Sequence, residues 1–293
     1  MTFVLVGLLL GLINTTTLHV AKAMQRQGIN TLRWARLSAE ERSGKHAAIY
    51  IVGVILNQST PLWIILANRY SAPAYATGMF GVGLVLLLVY SSVVLKEPVS
   101  AVNYLGAIIV MSGTILFGVH SIQMGSLDVS MMDRRTVFVF TVACMAASSL
   151  GLIVGFRSRK GRIIGLAFGL FAGAAAGLDP ILKAIGQNAS GSASLIPTEL
   201  WGWLPFGLSF VLGSCGFFTV QIAFLRGARA SVFVPFQSSL YVLLPVVVQL
   251  LALPGYAATP ILITGIACIV AGIILMQPAR DPAGSAVGEA AAT

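Results

Sequence analysis

A single carboxylate lies inside an apolar run of this sequence, in the segment Gly177-Leu178-Asp179-Pro180. Because a charged side chain is costly in the middle of a lipid bilayer, Asp179 is expected to face a cavity or a partner helix. Pro180 lacks a backbone N–H and is expected to bend or interrupt the helix beside that carboxylate. An interrupted helix with a carboxylate is typical of cation and proton sites in membrane carriers, so Asp179 is the first candidate binding residue. It is also the candidate ligand if a metal ion is bound, which the sequence leaves unknown.

Lys183 follows Asp179 by four residues, which places the two side chains on one face of a helix. They can therefore neutralise each other as a structural ion pair. A functional interpretation stays open beside this one, because the pair could couple transport to a proton, or a substrate could compete for Asp179. A third alternative is a position of Asp179 at the outer surface.

Other polar side chains also fall within apolar runs and are candidates for binding a small polar solute. Besides Asp179 they are Asn14, Asn57, Gln58, Gln221 and Gln237. The alternative for these amides is a hydrogen bond between helices. His19 could move protons, and its alternative is a packing role. Lys96 and Glu97 follow the third apolar run and could form a gate, or an exposed ion pair that contributes little stability. Four aromatic residues could wall a site for an organic cation or could face lipid: Trp63, Tyr90, Phe236 and Tyr241.

The composition is that of an all-α polytopic membrane protein. Hydrophobic residues make up 57% of the 293, charged residues only 9%, and the mean hydropathy is +0.91. A soluble domain carries roughly 25% charged residues. No cluster of histidines, cysteines or acids at ligand spacing and no nucleotide-binding loop is present, so the sequence indicates neither an enzyme nor a cofactor. The expected partners are the lipid bilayer and a small-molecule or cation substrate, without nucleic acid. The oligomeric state stays open, and a monomer is compatible with the sequence.

Nine apolar runs predict nine membrane-spanning helices. They cover residues 3–24, 47–68, 72–95, 99–119, 136–156, 163–186, 203–225, 230–252 and 259–277. If the N-terminus is outside, fourteen of the 18 Lys and Arg residues fall on the inner side, which also accounts for the net charge of +9. We therefore expect a multi-pass protein of the cell (inner or plasma) membrane, with the N-terminus outside and the C-terminus inside.

Arg134 and Arg135 are the local exception to this charge distribution. They fall on the outer side, directly before the fifth run, and the nearby Asp128 and Asp133 offset their charge only slightly.

Glycine patterns repeat between the two halves of the chain. Gly106 and Gly113 in the fourth run recur as Gly265 and Gly272 in the ninth, both at an offset of 159 residues. The first and sixth runs also begin alike, with Gly-Leu-x-x-Gly-Leu at residues 7–12 and an equivalent glycine spacing at 165–170. The predicted organisation is a first repeat at 1–119, a linker with the fifth helix at 120–162, a second repeat at 163–277, and a disordered cytoplasmic tail at 278–293.

Four helices, one linker helix and four more helices place the two repeats in opposite orientations across the membrane. Inverted repeats are typical of secondary transporters, whose substrate site lies near the midplane between the halves. We therefore expect alternating access to a site for a small polar solute, with cations included. The alternative from another class is a non-transporting membrane scaffold or partner subunit.

One segment resembles a known family. Val94-Leu95-Lys96-Glu97-Pro98, followed by Tyr104-Leu105-Gly106 and Gly113, is similar to the signature of the drug/metabolite transporter (DMT, EamA-like) superfamily. The helix layout and the basic segments are most similar to its NIPA-like, magnesium-transporter branch. This resemblance implies a solute carrier driven by gradients and, on the closer branch, magnesium transport.

Overall fold

The computed structural model describes residues 2–28, 44–94, 100–191, 194–228 and 230–276, and in these parts it contains helices and no strands. The helices are α1 (Thr2–Gly28), α2 (Gly44–Asn68), α3 (Pro73–Gly78), α4 (Phe80–Val93), α5 (Ala101–Met124), α6 (Arg134–Arg157), α7 (Gly161–Gln187), α8 (Leu200–Leu225), α9 (Ala230–Ala252) and α10 (Pro260–Leu275). A 3₁₀ turn, Val129–Met131, lies between α5 and α6.

The described helices confirm an all-α, multi-pass membrane protein. Eight helical spans are long and apolar enough to cross a bilayer, while α10 has 16 residues and is shorter. The third predicted run is divided at Met79 into α3 and α4, which together form one span. The ninth crossing therefore stays a prediction. The predicted cytoplasmic tail at 278–293 lies outside the described residues.

Local sequence explains where two of the helices, α5 and α10, begin. The Ser100 hydroxyl accepts a hydrogen bond from Asn103 N at 3.3 Å, and Asn103 Oδ1 accepts one from Ser100 N at 2.9 Å, so α5 begins with a capping box. At α10, Thr259 Oγ1 accepts from Leu262 N at 3.2 Å, and Pro260 occupies the first helical position, where its missing N–H costs nothing.

The bundle has two ends, which we name by their connections. The first end holds the start of α1 and the α7–α8 and α9–α10 connections, and the second end holds the α6–α7 and α8–α9 connections. The N-terminal helix α1 packs against α2, α3 and α4, and α7 packs in the same way against α8 and α9. The helix α4 also packs on α5 as α9 packs on α10. The same set of pairings therefore occurs in both halves.

The repeated glycines form the crossing of α5 and α10. A Cβ atom on Gly113 would lie 2.6 Å from the Gly265 carbonyl oxygen, and one on Gly272 would lie 2.7 Å from the Gly106 carbonyl oxygen. Both pairs depend on missing side chains for the close approach of the two backbones. Because the earlier glycine of α5 faces the later glycine of α10, the two helices run antiparallel.

Candidate functional site

The two charged residues of α7 form an ion pair inside the bundle. Lys183 Nζ donates to Asp179 Oδ1, and the two side chains are 1% and 15% exposed. The Lys183 ammonium also lies 4.6 Å from the centroid of the Phe210 ring on α8, within range of a cation–π interaction. The pair expected from the four-residue spacing is thus formed, with one residue almost fully buried.

The carboxylate of Asp179 faces α8. The Ser209 side chain lies beside it and is fully buried, with its hydroxyl donating to the Phe206 carbonyl oxygen at 2.6 Å. A Cβ atom on Gly213 would lie 3.6 Å from Asp179 Oδ1, so this glycine borders the carboxylate without covering it. The helix α7 continues through Pro180 from Gly161 to Gln187. Asp179 therefore lies within a continuous helix, and the expected interruption is absent.

A second polar contact joins the two halves of the chain. Asn14 on α1 is 2% exposed, and its Nδ2 donates to Tyr241 Oη on α9 at 3.4 Å, a long hydrogen bond. Its Oδ1 is buried and has no partner among the described residues. The Tyr241 hydroxyl lies within electrostatic range of the Asp179 carboxylate. The Tyr241 ring packs on the Phe80 ring, with centroids 4.8 Å apart. This hydrogen bond therefore joins α1 to α9 in the neighbourhood of Asp179 on α7.

The His19 ring also packs on the Phe80 ring, with centroids 4.6 Å apart. Its Nδ1 is 2.7 Å from the Thr15 carbonyl oxygen, and since a carbonyl only accepts, Nδ1 carries a hydrogen. The other ring nitrogen, Nε2, is buried without a partner in the described structure. The backbone of α1 thus orients the His19 ring. Phe80 contacts both this ring and the ring of Tyr241.

The remaining predicted site residues fall into different environments. Gln237 is buried on α9, and its backbone packs on Gly173 of α7. Asn57 and Gln221 are half-buried. Gln58 is exposed on the face of α2 that carries Ile51, Ile55 and Leu62, so it points away from α1. The opposite face of α2, which carries Gly53, packs on α1. Lys96 and Glu97 lie outside the described residues.

Of the four aromatic candidates, Tyr241 is the one that contacts another predicted site residue, Asn14. Phe236 is 41% exposed, and Tyr90 donates to Gln27 Oε1 at 2.9 Å, near the second end. Trp63 is half-buried on α2.

A buried amide network at the first end was not expected from the sequence. Asn68 Nδ2 at the end of α2 donates to the Pro180 carbonyl oxygen at 3.1 Å and to Gln187 Oε1 at 3.2 Å. Gln187 Nε2 donates in turn to the Ile65 carbonyl oxygen at 2.8 Å. Both amides are at the boundaries of apolar runs, where a polar residue usually only marks the end of a helix. The sequence feature that could have indicated the network is that Asn68 and Gln187 each lie at the end of an apolar run, and the predicted topology places both of these ends on the same side of the membrane.

Two cavities also lie at the first end. One of about 270 Å³ is lined by residues that include Phe3, Asn68 and Asp128, and one of about 230 Å³ lies between α6, α7 and α8. Neither is lined by Asp179 or Lys183. Among the described residues, no group of three or more His, Cys, Asp or Glu side chains is placed to hold a metal ion.

No family model matches the sequence, and no curated protein or solved structure matches it. The fold and the site are those of a multi-pass helical membrane protein with a buried ion pair and an amide–phenol contact between its halves.

Proposed function

We propose that this protein is a secondary transporter whose two halves are inverted repeats and move a small polar solute by alternating access. The glycine crossing supports the repeat. A shift of 159 residues converts the pair Gly106–Gly272 into the pair Gly265–Gly113, as expected if one two-fold operation relates the two halves. A two-fold axis that exchanges antiparallel helices is perpendicular to them and lies in the membrane plane, as in inverted-repeat carriers.

The single observation that carries the transport proposal is the buried ion pair with its neighbouring polar groups. Asp179 and Lys183 lie on α7, while Asn14 reaches the same region from the other half through Tyr241. Charged and amide groups at this depth are costly unless they serve an interaction. Asn14 Oδ1 has no partner in the described structure and can accept a hydrogen bond from a solute.

The pair also defines the class of solute. A solute with a positive or hydrogen-bond-donating group competes with Lys183 for the Asp179 carboxylate. The displaced ammonium of Lys183 is already above the Phe210 ring, which can hold it through a cation–π interaction. The favoured solute is therefore small and polar, with organic cations included. Membership of the drug/metabolite transporter superfamily is part of this proposal.

Accessibility of the site from both sides of the membrane tests the proposal without a known solute. Ser209→Cys, in a background with Cys144, Cys215 and Cys268 replaced by alanine, places a thiol beside Asp179, where the side chain is now fully buried. Alternating access is expected to expose this thiol to a membrane-impermeant maleimide in intact cells and also in inside-out vesicles.

The matched control is Ser112→Cys, on the exposed face of α5 that is expected to contact lipid. An aqueous reagent should label it from neither side. If Ser209→Cys fails to label from one or both sides, the transport proposal is contradicted. Failure from both sides supports a closed bundle.

A non-transporting scaffold is the second candidate, and one observation favours it. Asp179 is paired with Lys183, and the two cavities described above lie at the first end, away from the pair. A closed bundle of this kind is what a structural partner subunit would present. The labelling experiment separates the two candidates directly. Magnesium transport has less support, because the carboxylate of α7 already has a cationic partner and Mg²⁺ sites usually include one or two carboxylates.

A further inference from the structure

We propose that the groove between the starts of α6 and α8 and the end of α7 is a binding site for an anionic glycerophospholipid. Its volume is about 230 Å³, and its lining includes Arg134, Phe138, Ile185, Trp201 and Leu204. This site is independent of the transport proposal.

The position of the groove fits the level of the lipid headgroups. It lies at an end of three membrane-spanning helices, and Trp201 and Leu204 in its wall are 76% and 60% exposed. Exposed tryptophan at a helix end is typical of the membrane–water interface. Apart from Arg134 the lining is apolar, so it fits an acyl chain below a charged headgroup.

Arg134 is held in place at the mouth of the groove. Its Nη2 donates to the Ala189 carbonyl oxygen at 2.9 Å, which ties it to the end of α7. A guanidinium has five N–H donors, so further donors are available to a phosphate, which arginine binds in a bidentate manner. Arg135 is exposed and adjacent in the chain, and it adds a second positive charge.

The charges around the groove select an anionic lipid. Arg134 and Arg135 occupy the first turn of α6, where the helix dipole disfavours cations, so a bound anion is stabilised there. The Asp133 carboxylate accepts hydrogen bonds from the Thr136 hydroxyl and from Arg135 N, which keep its pKa below the ordinary value, so it stays ionised and offsets part of the charge of the two arginines. Glu199 precedes α8 and does not line the groove. A choline headgroup would bring a third cation to the two arginines, whereas a phosphatidylglycerol headgroup would not.

Native mass spectrometry of the purified protein tests this site with phosphatidylglycerol, phosphatidylcholine and inorganic phosphate as probes. The wild type is expected to retain phosphatidylglycerol in preference to phosphatidylcholine. Arg134→Gln is expected to weaken phosphatidylglycerol binding by about tenfold or more, because charged hydrogen bonds are lost. Arg134→Lys keeps the charge without the bidentate geometry and should give an intermediate affinity.

Arg69→Gln is the matched control, since Arg69 is also exposed at the first end but does not line this groove. It should bind phosphatidylglycerol like the wild type. The thermal shift produced by added lipid, measured for each variant against its own lipid-free sample, separates lost binding from lost folding. Equal binding by Arg134→Gln, equal retention of phosphatidylcholine, or full competition by inorganic phosphate would each overturn the assignment of an anionic lipid.

Discussion

At the scale of single residues, the ion pair of α7 determines how the site behaves. Lys183 is 1% exposed, and its ammonium contacts one carboxylate and one aromatic ring. A buried charge that loses its partner is strongly destabilising, whereas replacement of both partners by apolar residues can be close to neutral. Removal of one partner is therefore expected to cost much more stability than replacement of both partners together.

A double-mutant cycle makes this difference measurable. Asp179→Leu or Lys183→Met alone should each lower the free energy of unfolding by about 3–5 kcal/mol, because each leaves one buried charge unpaired. The double variant should be clearly more stable than either single variant, as measured by thermal unfolding in detergent. Additive losses in the double variant would contradict the coupling.

The same double variant separates a structural from a functional pair. Ser209→Cys is added to this double variant, and maleimide labelling is measured from each side of the membrane. If the protein is folded but labelling from at least one side is lost, the pair belongs to the transport mechanism. Labelling like that of the unmodified pair assigns it to structure alone.

Much at this scale could be predicted, and the failures have physical causes. The Asp179–Lys183 pair follows from helical spacing alone. Asn14 was a candidate from its position in the run, but its partner Tyr241 is 227 residues away and no local pattern connects them. The exposed position of Gln58 could not be predicted, because the sequence of α2 is apolar nearly all round and does not distinguish the face on α1 from the exposed face.

At the scale of helices, the crossing of α5 and α10 is the most constrained contact between the halves. A Cβ atom on Gly113 would meet the backbone of α10 at 2.6 Å, and backbone cannot move aside as a flexible side chain can. On the same helix, a Cβ atom on Gly118 would lie 3.8 Å from Met79 Cε, an ordinary contact.

Two alanine substitutions on α5 should therefore have opposite effects. Gly113→Ala is expected to lower stability by about 1–3 kcal/mol through overpacking at the crossing. Gly118→Ala should be neutral or slightly stabilising, because alanine is the better helix former. Thermal unfolding in detergent compares the two, and equal effects would argue against the tight crossing.

The positions of the helices were largely predictable, because each apolar run is long and bounded by polar residues. The break between α3 and α4 was not, since no proline or charge marks Met79 within the run. The importance of Gly106 and Gly113 was visible as a repeat, whereas their crosswise pairing with the glycines of α10 needed the three-dimensional structure.

At the scale of the whole molecule, the distribution of lysine and arginine predicts that the first end faces outside. Ser126→Cys lies in the α5–α6 connection at the first end, and Ser158→Cys lies in the α6–α7 connection at the second end. In intact cells of the cysteine-free background, an impermeant maleimide should label Ser126→Cys and should not label Ser158→Cys. The reverse pattern would contradict the predicted orientation.

The amides Asn68 and Gln187 bridge the two halves at the first end, with Gln187 Nε2 also donating to the Ser194 carbonyl oxygen at 3.1 Å. Any motion that separates α2 from α7 at this end must release these bonds together and leave several buried acceptors unsatisfied. In this conformation, the hydrogen bonds of Asn68 and Gln187 hold α2 and α7 together at the end that is predicted to be extracellular. Under the proposed alternating access, opening on the predicted extracellular side must therefore begin by breaking these amide hydrogen bonds.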